Sequence, residues 1–400
     1  MNLDKIKNIH FIGIGGIGMS GIAEILKGRG MTVSGCDLKR SSATSLLAAR
    51  GVDVHIGHDP AHLAAVDAVV VTAAVKGANV EVDAARERGI EIIRRKDLLA
   101  AIVNEKRGVG VSGTHGKTTT SAMIATVLED AGLDPTIIIG GILQNIASNA
   151  KDGKGDVVVV EADEYDRTFH EMRPEIAVIT NIEADHLEYY GSFENIVEAF
   201  RIFTENVRPG GAIIGCVDDP AVAALLDRRG RGKDPKIIRY GLGPGADLTA
   251  RDLTFHERGS SFEVEGIGFF KLFVPGEHNV RNALAAIAVA RELGVSAEAT
   301  SAVSPSSSAS IGGFRSSATT TARWLSTTTR ITRPRSRPRS MPRGAVIRGG
   351  ASSPSFSRIS TRAHATSRAS SASHCAARTL RSSRRSMRRA RNRSRASHRG

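Results

Sequence analysis

Two stretches of this chain repeat one grammar: a short apolar run, a glycine turn, then a segment with helical spacing. The first is NIHFIGIGG leading into GMSGIAEILKGRG. The second is RGVGVSG, the turn THGKTTT and the segment SAMIATVLEDAG, closed by Gly132. A strand that enters a helix through a tight turn returns to its sheet by a crossover, so such units build parallel sheets covered by helices. MTVSGCD and VDAVVVTAAV read as further strands of the first unit. DVVVVEADEYD and EIAVITNIEADH read as strands of the second, and each ends in acidic and polar residues. Near-continuous apolar runs suit strands covered on both faces. In open sheets of this kind ligands lie beyond the carboxyl ends of the strands, where those clusters fall. SSFEVEGIGFFKLFVPG has the pattern of antiparallel strands, and EHNVRNALAAIAVARELG that of a helix. The expected fold is α/β. A Rossmann-like parallel-sheet domain takes residues 1–104, and a central α/β domain of the phosphate-loop type takes 105–302. Residues 303–400 form a basic tail without periodicity.

The charge is unevenly distributed. The 400 residues carry 55 Lys and Arg against 41 Asp and Glu, a net charge of +14, with a pI near 10.1. Averaged over the chain, this suggests a nucleic-acid or anionic-membrane partner. Yet Ser304–Gly400 contains no Lys, Asp or Glu, whereas before it acids and bases are interspersed. An Arg-rich nucleic-acid-binding protein is the alternative of another class, with affinity falling steeply as salt rises. Against it, Trp324 and Phe356 stand alone in the tail, and no nucleic-acid module surrounds them. No specific nucleic-acid binding is expected, and weak apolar patterning with self-repulsion predicts disorder there. Cys36, Cys216 and Cys375 are far apart, with neither metal-ligand nor redox-motif spacing. Reduced thiols, no signal-peptide pattern and no apolar run of membrane-span length give the expectation of a cytoplasmic protein without membrane insertion.

Four motifs carry chemistry. GIGGIG places Gly13, Gly15, Gly16 and Gly18 between a strand and a helix. Glycines there let backbone N–H groups approach a phosphate at a helix N-terminus. Asp37, after the second strand, suits a ribose hydroxyl. A nucleotide diphosphate site, a nicotinamide dehydrogenase and a turn needed only for packing all remain open on this motif alone. GTHGKTT (Gly113, Thr114, His115, Gly116, Lys117, Thr118, Thr119) has the context of a phosphate loop. Lys117 is suited to the β- and γ-phosphates of ATP and the Thr118 hydroxyl to Mg²⁺. The strict spacing fails, because Val111 takes the first glycine position. Glu161, in EADEYD, ends a strand where a carboxylate can hold Mg²⁺. His186, in NIEADH, ends another strand of the same sheet and suits a metal or phosphate role. A dehydrogenase has no use for the second nucleotide site, and this demotes the nicotinamide reading.

The stretches FIGIGGIGMSGIAEIL, GTHGKTTT, GGILQNIASNA, VEADEYDRTF, TNIEADHLEYYG and GEHNVRNALAA, in this order over roughly the first 300 residues, resemble the Mur ligases. These enzymes build the peptide stem of bacterial peptidoglycan. The likeness is strongest to the branch that joins L-alanine to UDP-N-acetylmuramate, and a member adding another amino acid is the nearest rival. The family's phosphate loop has the shortened form seen here. The resemblance implies a muramoyl carboxylate that attacks the γ-phosphate of ATP, giving an acyl phosphate that the amine of L-alanine then attacks. It implies Lys117 on the transferring phosphoryl group, and Thr118, Glu161 and His186 on metal ions. It also implies His278, Asn279 and Asn282 on the base and ribose side of ATP, and Gly15, Gly16 and Gly18 at the UDP diphosphate. Fixed cations and donors would hold the charge of the transferring group. Cys36 stands where a small hydroxyl residue is expected, and Tyr165 where serine is.

The larger departure is the tail. The family's third domain binds the amino acid and carries an Asp-Asp-Tyr-Ala-His-His-Pro-Thr-Glu stretch that this chain lacks. STTTRITRPRSRPRS (Ser326–Ser340) has a legal codon spelling that reads DDYAHHPTEIAATL when shifted by two bases. The same shift on SFSRISTRAHA (Ser355–Ala365) permits FQPHLYSRTR, and on IGGF (Ile311–Phe314) permits RRF. Both are expected in that domain. The tail therefore reads as the out-of-frame shadow of a C-terminal ligase domain, with the slip between Thr300 and Ile311.

Overall fold

The first strand–turn–helix unit, β1 (Asn8–Ile12) and α1 (Ile17–Gly28), nucleates a five-stranded sheet. In the computed structural model β2 (Thr32–Asp37), β3 (Asp53–Ile56), β4 (Ala68–Val71) and β5 (Glu91–Arg94) complete it. The strand order is β3-β2-β1-β4-β5, all parallel. The order reverses between β1 and β4, so the glycine turn after β1 opens into the crevice where such sheets bind ligands. Helices α2 (Ser42–Ala49), α3 (Val80–Glu87) and α4 (Arg95–Glu105) make the crossovers and exit. Ser41 and Thr44 form a reciprocal capping box on α2, and Asn79 caps α3 through its side-chain oxygen. Each satisfies N–H groups that a helix start leaves without an intrahelical carbonyl.

The structure describes residues 3–296 apart from 74, 76, 144, 145, 147, 166, 231–233 and 258, together with Arg315 and Ser316. All described residues belong to one compact unit. From α4 the chain enters β6 (Arg107–Ser112), followed by α5 (Lys117–Asp130), β7 (Thr136–Leu143), β8 (Ser148–Lys151), β9 (Val157–Glu161) and β10 (Ile176–Ile179). Then come α6 (Leu187–Tyr190), α7 (Phe193–Glu205), β11 (Ala212–Cys216), α8 (Pro220–Arg229) and β12 (Lys236–Gly241). Strands β13 (Leu248–His256), β14 (Gly259–Val264) and β15 (Gly268–Leu272) precede α9 (Glu277–Glu292) and the short β16 (Arg315–Ser316). Among the described residues the second sheet has eleven strands, ordered β16-β15-β14-β13-β12-β11-β10-β6-β9-β7-β8. It is parallel from β7 to β13, with β8 antiparallel at one edge and β14, β15 and β16 at the other.

The expected order of strands and helices holds through the SSFEVEGIGFFKLFVPG and EHNVRNALAAIAVARELG segments, which form β14, β15 and α9. The reading of 303–400 lies outside the described residues except at Arg315 and Ser316. Those two residues pair antiparallel with Lys271 and Phe270 of β15. A sheet edge offers backbone donors and acceptors to any extended segment, and no side-chain pattern is required.

The two sheets share a core. Ile22, Ile25 and Leu26 of α1 pack in one cluster with Ile138, Ala150, Val158 and Phe169 of the second sheet's side. Gly21 permits this approach. A Cβ there would lie 2.8 Å from Asn149 Nδ2 and 3.1 Å from Ala150 Cβ. Asn149 Nδ2 donates to the Ile17 carbonyl at 2.6 Å, and Ser148 Oγ donates to Glu24 at 2.7 Å. On the other face of the second sheet, α5 and α9 join a separate cluster in which Ala283, Ala285, Ala286 and Ala288 are buried. Small side chains there let the two helices lie close.

Candidate active site

The phosphate loop is held in shape by the end of β10. Thr114 N donates to the Asn181 carbonyl at 3.1 Å, and His115 N donates to Asn181 Oδ1 at 2.8 Å. Thr180 Oγ1 donates to the His115 carbonyl at 2.6 Å, and Glu183 N donates to Thr114 Oγ1 at 2.9 Å. Gly113 (φ 136°) and Gly116 (φ 83°) sit in backbone regions that side chains rarely adopt. Both also lack room: a Cβ on Gly113 would lie 2.0 Å from Thr180 Oγ1, and one on Gly116 would lie 2.9 Å from Asn282 Oδ1. The loop therefore delivers the chain into α5 with Lys117, Thr118 and Thr119 in the first turn. Their N–H groups have no intrahelical carbonyl to meet, and they form the positive end of the helix dipole.

Lys117 Nζ donates to the Gly113 carbonyl at 2.6 Å and to both oxygens of Glu164 at 2.8 and 3.0 Å. Burial pushes the Glu164 carboxyl up, although the Lys117 charge and hydrogen bond pull it down. Glu164 is also anchored through its carbonyl, which accepts from Tyr190 Oη. Glu161, at the end of β9, accepts from Gly140 N at 2.7 Å and from the Thr118 hydroxyl. Burial pushes this carboxyl up too, against Gly140, Thr118 and the Lys117 charge. Thr118 and Glu161 are thus brought together. His186, in a left-handed backbone conformation at the start of α6, packs edge-on against Tyr165 with ring centroids 4.9 Å apart. Asp185 and Glu188 lie 3.9 and 3.7 Å from its Nδ1.

The helix α9 residues divide. Asn282 is buried and accepts from Thr120 Oγ1 at 3.1 Å, beneath Gly116, so it braces the loop from below. At the helix start His278 is exposed and Asn279 half-buried, and Asn279 Nδ2 donates to the Pro275 carbonyl at 2.8 Å.

The first glycine turn is pinned from β2. Gly13 N and Ile14 N both donate to the Cys36 carbonyl, at 2.8 and 3.0 Å, and Gly15 N donates to Asp37 Oδ2 at 2.9 Å. A Cβ on Gly15 would lie 2.8 Å from that carboxylate oxygen, and one on Gly18 would lie 3.0 Å from Arg95. A cavity of about 1120 Å³ begins here, at Gly13, Gly16, Gly18, Asp37 and Arg95. It continues across the junction of the two sheets to Gly140, Glu161, Asp163 and Tyr165. One space therefore links the first glycine turn to the carboxylate beside the phosphate loop.

Known proteins resemble this chain in sequence and fold. A family model described as "Mur ligase family, catalytic domain" matches residues 8–107, and one described as "Mur ligase middle domain" matches 111–290. A UDP-N-acetylmuramate–L-alanine ligase of Bradyrhizobium diazoefficiens is 44% identical over 330 residues, 80% of this chain and 69% of that protein. The chain belongs to the Mur ligase family. The Syntrophotalea carbinolica protein of the same name is 46% identical over 72% of this chain. The chain spans 63% of that relative's length. Among solved structures, the Neisseria meningitides UDP-N-acetylmuramate:L-alanyl-gamma-D-glutamyl-meso-diaminopimelate ligase superposes with a TM-score of 0.66 at 33% identity. That match covers 74% of this chain and 96% of the other.

In this Mur ligase framework the residues around Glu161 fit a magnesium ion. A carboxylate whose burial outweighs its hydrogen bonds would be stabilised by a cation, and the Thr118 hydroxyl and Asp163 would offer it further hard oxygen ligands. Sequence reasoning missed Glu164, Thr180, Asn181 and Gly140 as parts of the site. Glu164 and Asn181 stand inside the acidic and polar clusters at the strand ends. After a strand ends, however, residue spacing no longer tells which side chain turns inward.

Proposed function

We propose that this chain holds UDP-N-acetylmuramate and ATP–Mg²⁺ side by side, as a member of the L-alanine-adding branch of the family. The observation that carries this is the continuous cavity from Gly13–Gly18 and Asp37 to Glu161. A nucleotide-linked sugar anchored at one end presents its carboxylate at the other, beside Glu161, which accepts from the Thr118 hydroxyl that follows the phosphate loop. In this reading residues 1–104 hold the UDP-sugar and 105–302 hold ATP. The glycine turn and the α1 dipole meet the diphosphate, and the α5 first turn meets the ATP phosphates. Lys117 exchanges Glu164 for phosphate oxygens. Thr118, Glu161 and His186 hold the Mg²⁺, which when bound neutralises charge on the phosphates. His278 and Asn279 lie at the base and ribose side, with Asn282 beneath. Substrates of this kind, together with free buried Cys36 and Cys216, accord with a cytoplasmic setting. Among the described residues no helix is long and apolar enough to cross a membrane.

We further read 303–400 as an out-of-frame C-terminal domain, so the amino-acid site is not encoded in this frame. The test of the binding half is calorimetric titration of the full chain with UDP-N-acetylmuramate and with ATP–Mg²⁺. Saturable binding of both is expected. Binding of neither, with salt-sensitive binding of DNA instead, would favour the Arg-rich nucleic-acid reading and overturn this one.

A further inference from the structure

The five-stranded sheet carries a second cluster of chemistry-bearing side chains that the ligase reading does not use. Glu81, in the first turn of α3, is fully buried. Its Oε2 accepts from Cys36 Sγ at 2.8 Å and lies 2.8 Å from His58 Nδ1, and its Oε1 lies 2.7 Å from His62 Nδ1. Cys36 Sγ and His58 Nδ1 are 3.1 Å apart. His10, on β1, is also fully buried. Its Nδ1 pairs with Ser34 Oγ at 2.8 Å. Its Nε2 is buried without a hydrogen-bond partner and faces Glu81 Oε1 at 3.5 Å, too long for a hydrogen bond. Two triads result, Cys36–His58–Glu81 and His10–His62–Glu81, each with all its ligand atoms within 4.8 Å of one another.

Packing alone does not call for this arrangement. A buried carboxylate is costly unless paired, and one arginine would pair it. Here a thiol and three imidazoles converge on it, and His10 Nε2 reaches it only at 3.5 Å. One sulfur, one carboxylate and several imidazole nitrogens are not the all-oxygen set that magnesium or calcium prefers, but they suit zinc-like cations. The sequence hides the site, because its ligands come from the end of β2, the loop after β3 and the start of α3.

We propose that Cys36, His58 and Glu81 bind one divalent transition-metal ion of the zinc type, with His10 and His62 around the shared carboxylate. Binding releases the Cys36 thiol proton to solvent and leaves the His58 proton on Nε2, so that Nδ1 offers its lone pair. Thiolate and carboxylate together balance the two charges of the ion. His58 lines the cavity described above, which gives the ion a way in. The Cys36 carbonyl also receives Gly13 N and Ile14 N, so a ligand of this ion pins the first glycine turn. The proposal does not depend on the ligase reading.

The test uses Co²⁺ as a spectroscopic probe on the full 400-residue chain with Mg²⁺ in excess. One equivalent of Co²⁺ is expected to give a visible spectrum of four-coordinate type and a near-ultraviolet thiolate-to-cobalt band, both displaced by Zn²⁺. Cys36→Ser should abolish the band, while Cys216→Ser and Cys375→Ser retain it. His58→Gln leaves the thiol in place and should weaken Co²⁺ binding by more than the roughly 100-fold that changes outside the ligand shell cause. No band in the unmodified chain, a band that survives Cys36→Ser, or unchanged affinity in His58→Gln overturns the proposal.

Discussion

Lys117 has two suitors. In this structure the ammonium is held by Glu164 and by the Gly113 carbonyl, whereas the phosphate-loop reading needs it on ATP. A buried ion pair is weak evidence of stabilisation by itself, because desolvation offsets much of the attraction. It is better suited to parking a lysine that must be available when a more charged partner arrives. Glu164→Gln is therefore expected to lower stability to urea by about 2 kcal/mol, the scale of a hydrogen bond to a charged group. It should also tighten ATP binding several-fold, because Lys117 no longer has to leave a carboxylate; calorimetry reads the second effect. Weaker ATP binding would show that Glu164 belongs to the site itself. Gly113→Ala works in the opposite direction. Its Cβ would displace Thr180 Oγ1, in a backbone region that costs a side chain about 1–3 kcal/mol, and both folding stability and ATP affinity should fall. Gly13, Gly113 and Gly116 were legible in the sequence, and each sits at a positive φ that favours glycine. Glu161 was legible because it ends an apolar run. Glu164 and Asn181 were not, since their roles depend on how two loops fold against each other.

At the scale of elements, what was local was readable and what was tertiary was not. The strand–turn–helix units and α9 follow from apolar periodicity and glycine placement. The seating of α1 on β8 does not, because Gly21 looks like a weak point in a helix until Asn149 and Ala150 are seen against it. Gly21→Ala should improve the intrinsic preference of α1 yet destabilise the protein by about 1–3 kcal/mol, the usual cost of overpacking. Urea unfolding measures this, and a gain in stability would show that the seating is loose. Helix α9 is tied to the sheet by Asp218, which accepts from Arg281 Nε at 2.6 Å and from Leu242 N and Gly243 N. Burial alone would raise the Asp218 carboxyl, but Arg281 and the two N–H groups hold it below the ordinary aspartate range. With the folded value depressed, the stabilisation is fully present above the unfolded value of about 3.9. It is lost as pH falls through the folded value. Asp218→Asn should therefore cost about 2 kcal/mol at neutral pH, with the gap to the unmodified protein closing in acid below the unfolded value. A gap independent of pH would mean that the ion pair contributes nothing.

For the whole molecule, the decisive contrast is between two kinds of sequence in one chain. Residues 8–107 and 111–290 match Mur ligase models, and their surfaces mix acids with bases. Beyond Ser304 there is no Lys, Asp or Glu at all. Under one choice of codons the tail permits, in one shifted frame and in order, two long motifs of a C-terminal ligase domain, which a natural basic arm has no reason to do. A slipped frame has every reason to do so. The two accounts differ in a measurable way. If the tail is a shifted frame, this chain binds UDP-N-acetylmuramate and ATP–Mg²⁺ but has no partner domain to present L-alanine and close over the phosphates. Closure is what assembles such sites. Alanine-dependent phosphate release by the purified chain should then fall to background. A version with the two-base shift restored between codons 300 and 311 should turn over at the rate of an intact ligase, while binding UDP-N-acetylmuramate no more tightly than before. The nucleotide sequence over codons 295–315 should show the slip directly. Full alanine-dependent turnover by the unaltered 400 residues would instead mean that the amino-acid site lies within the first 300, and that the Arg-rich segment is an appendage with a history of its own.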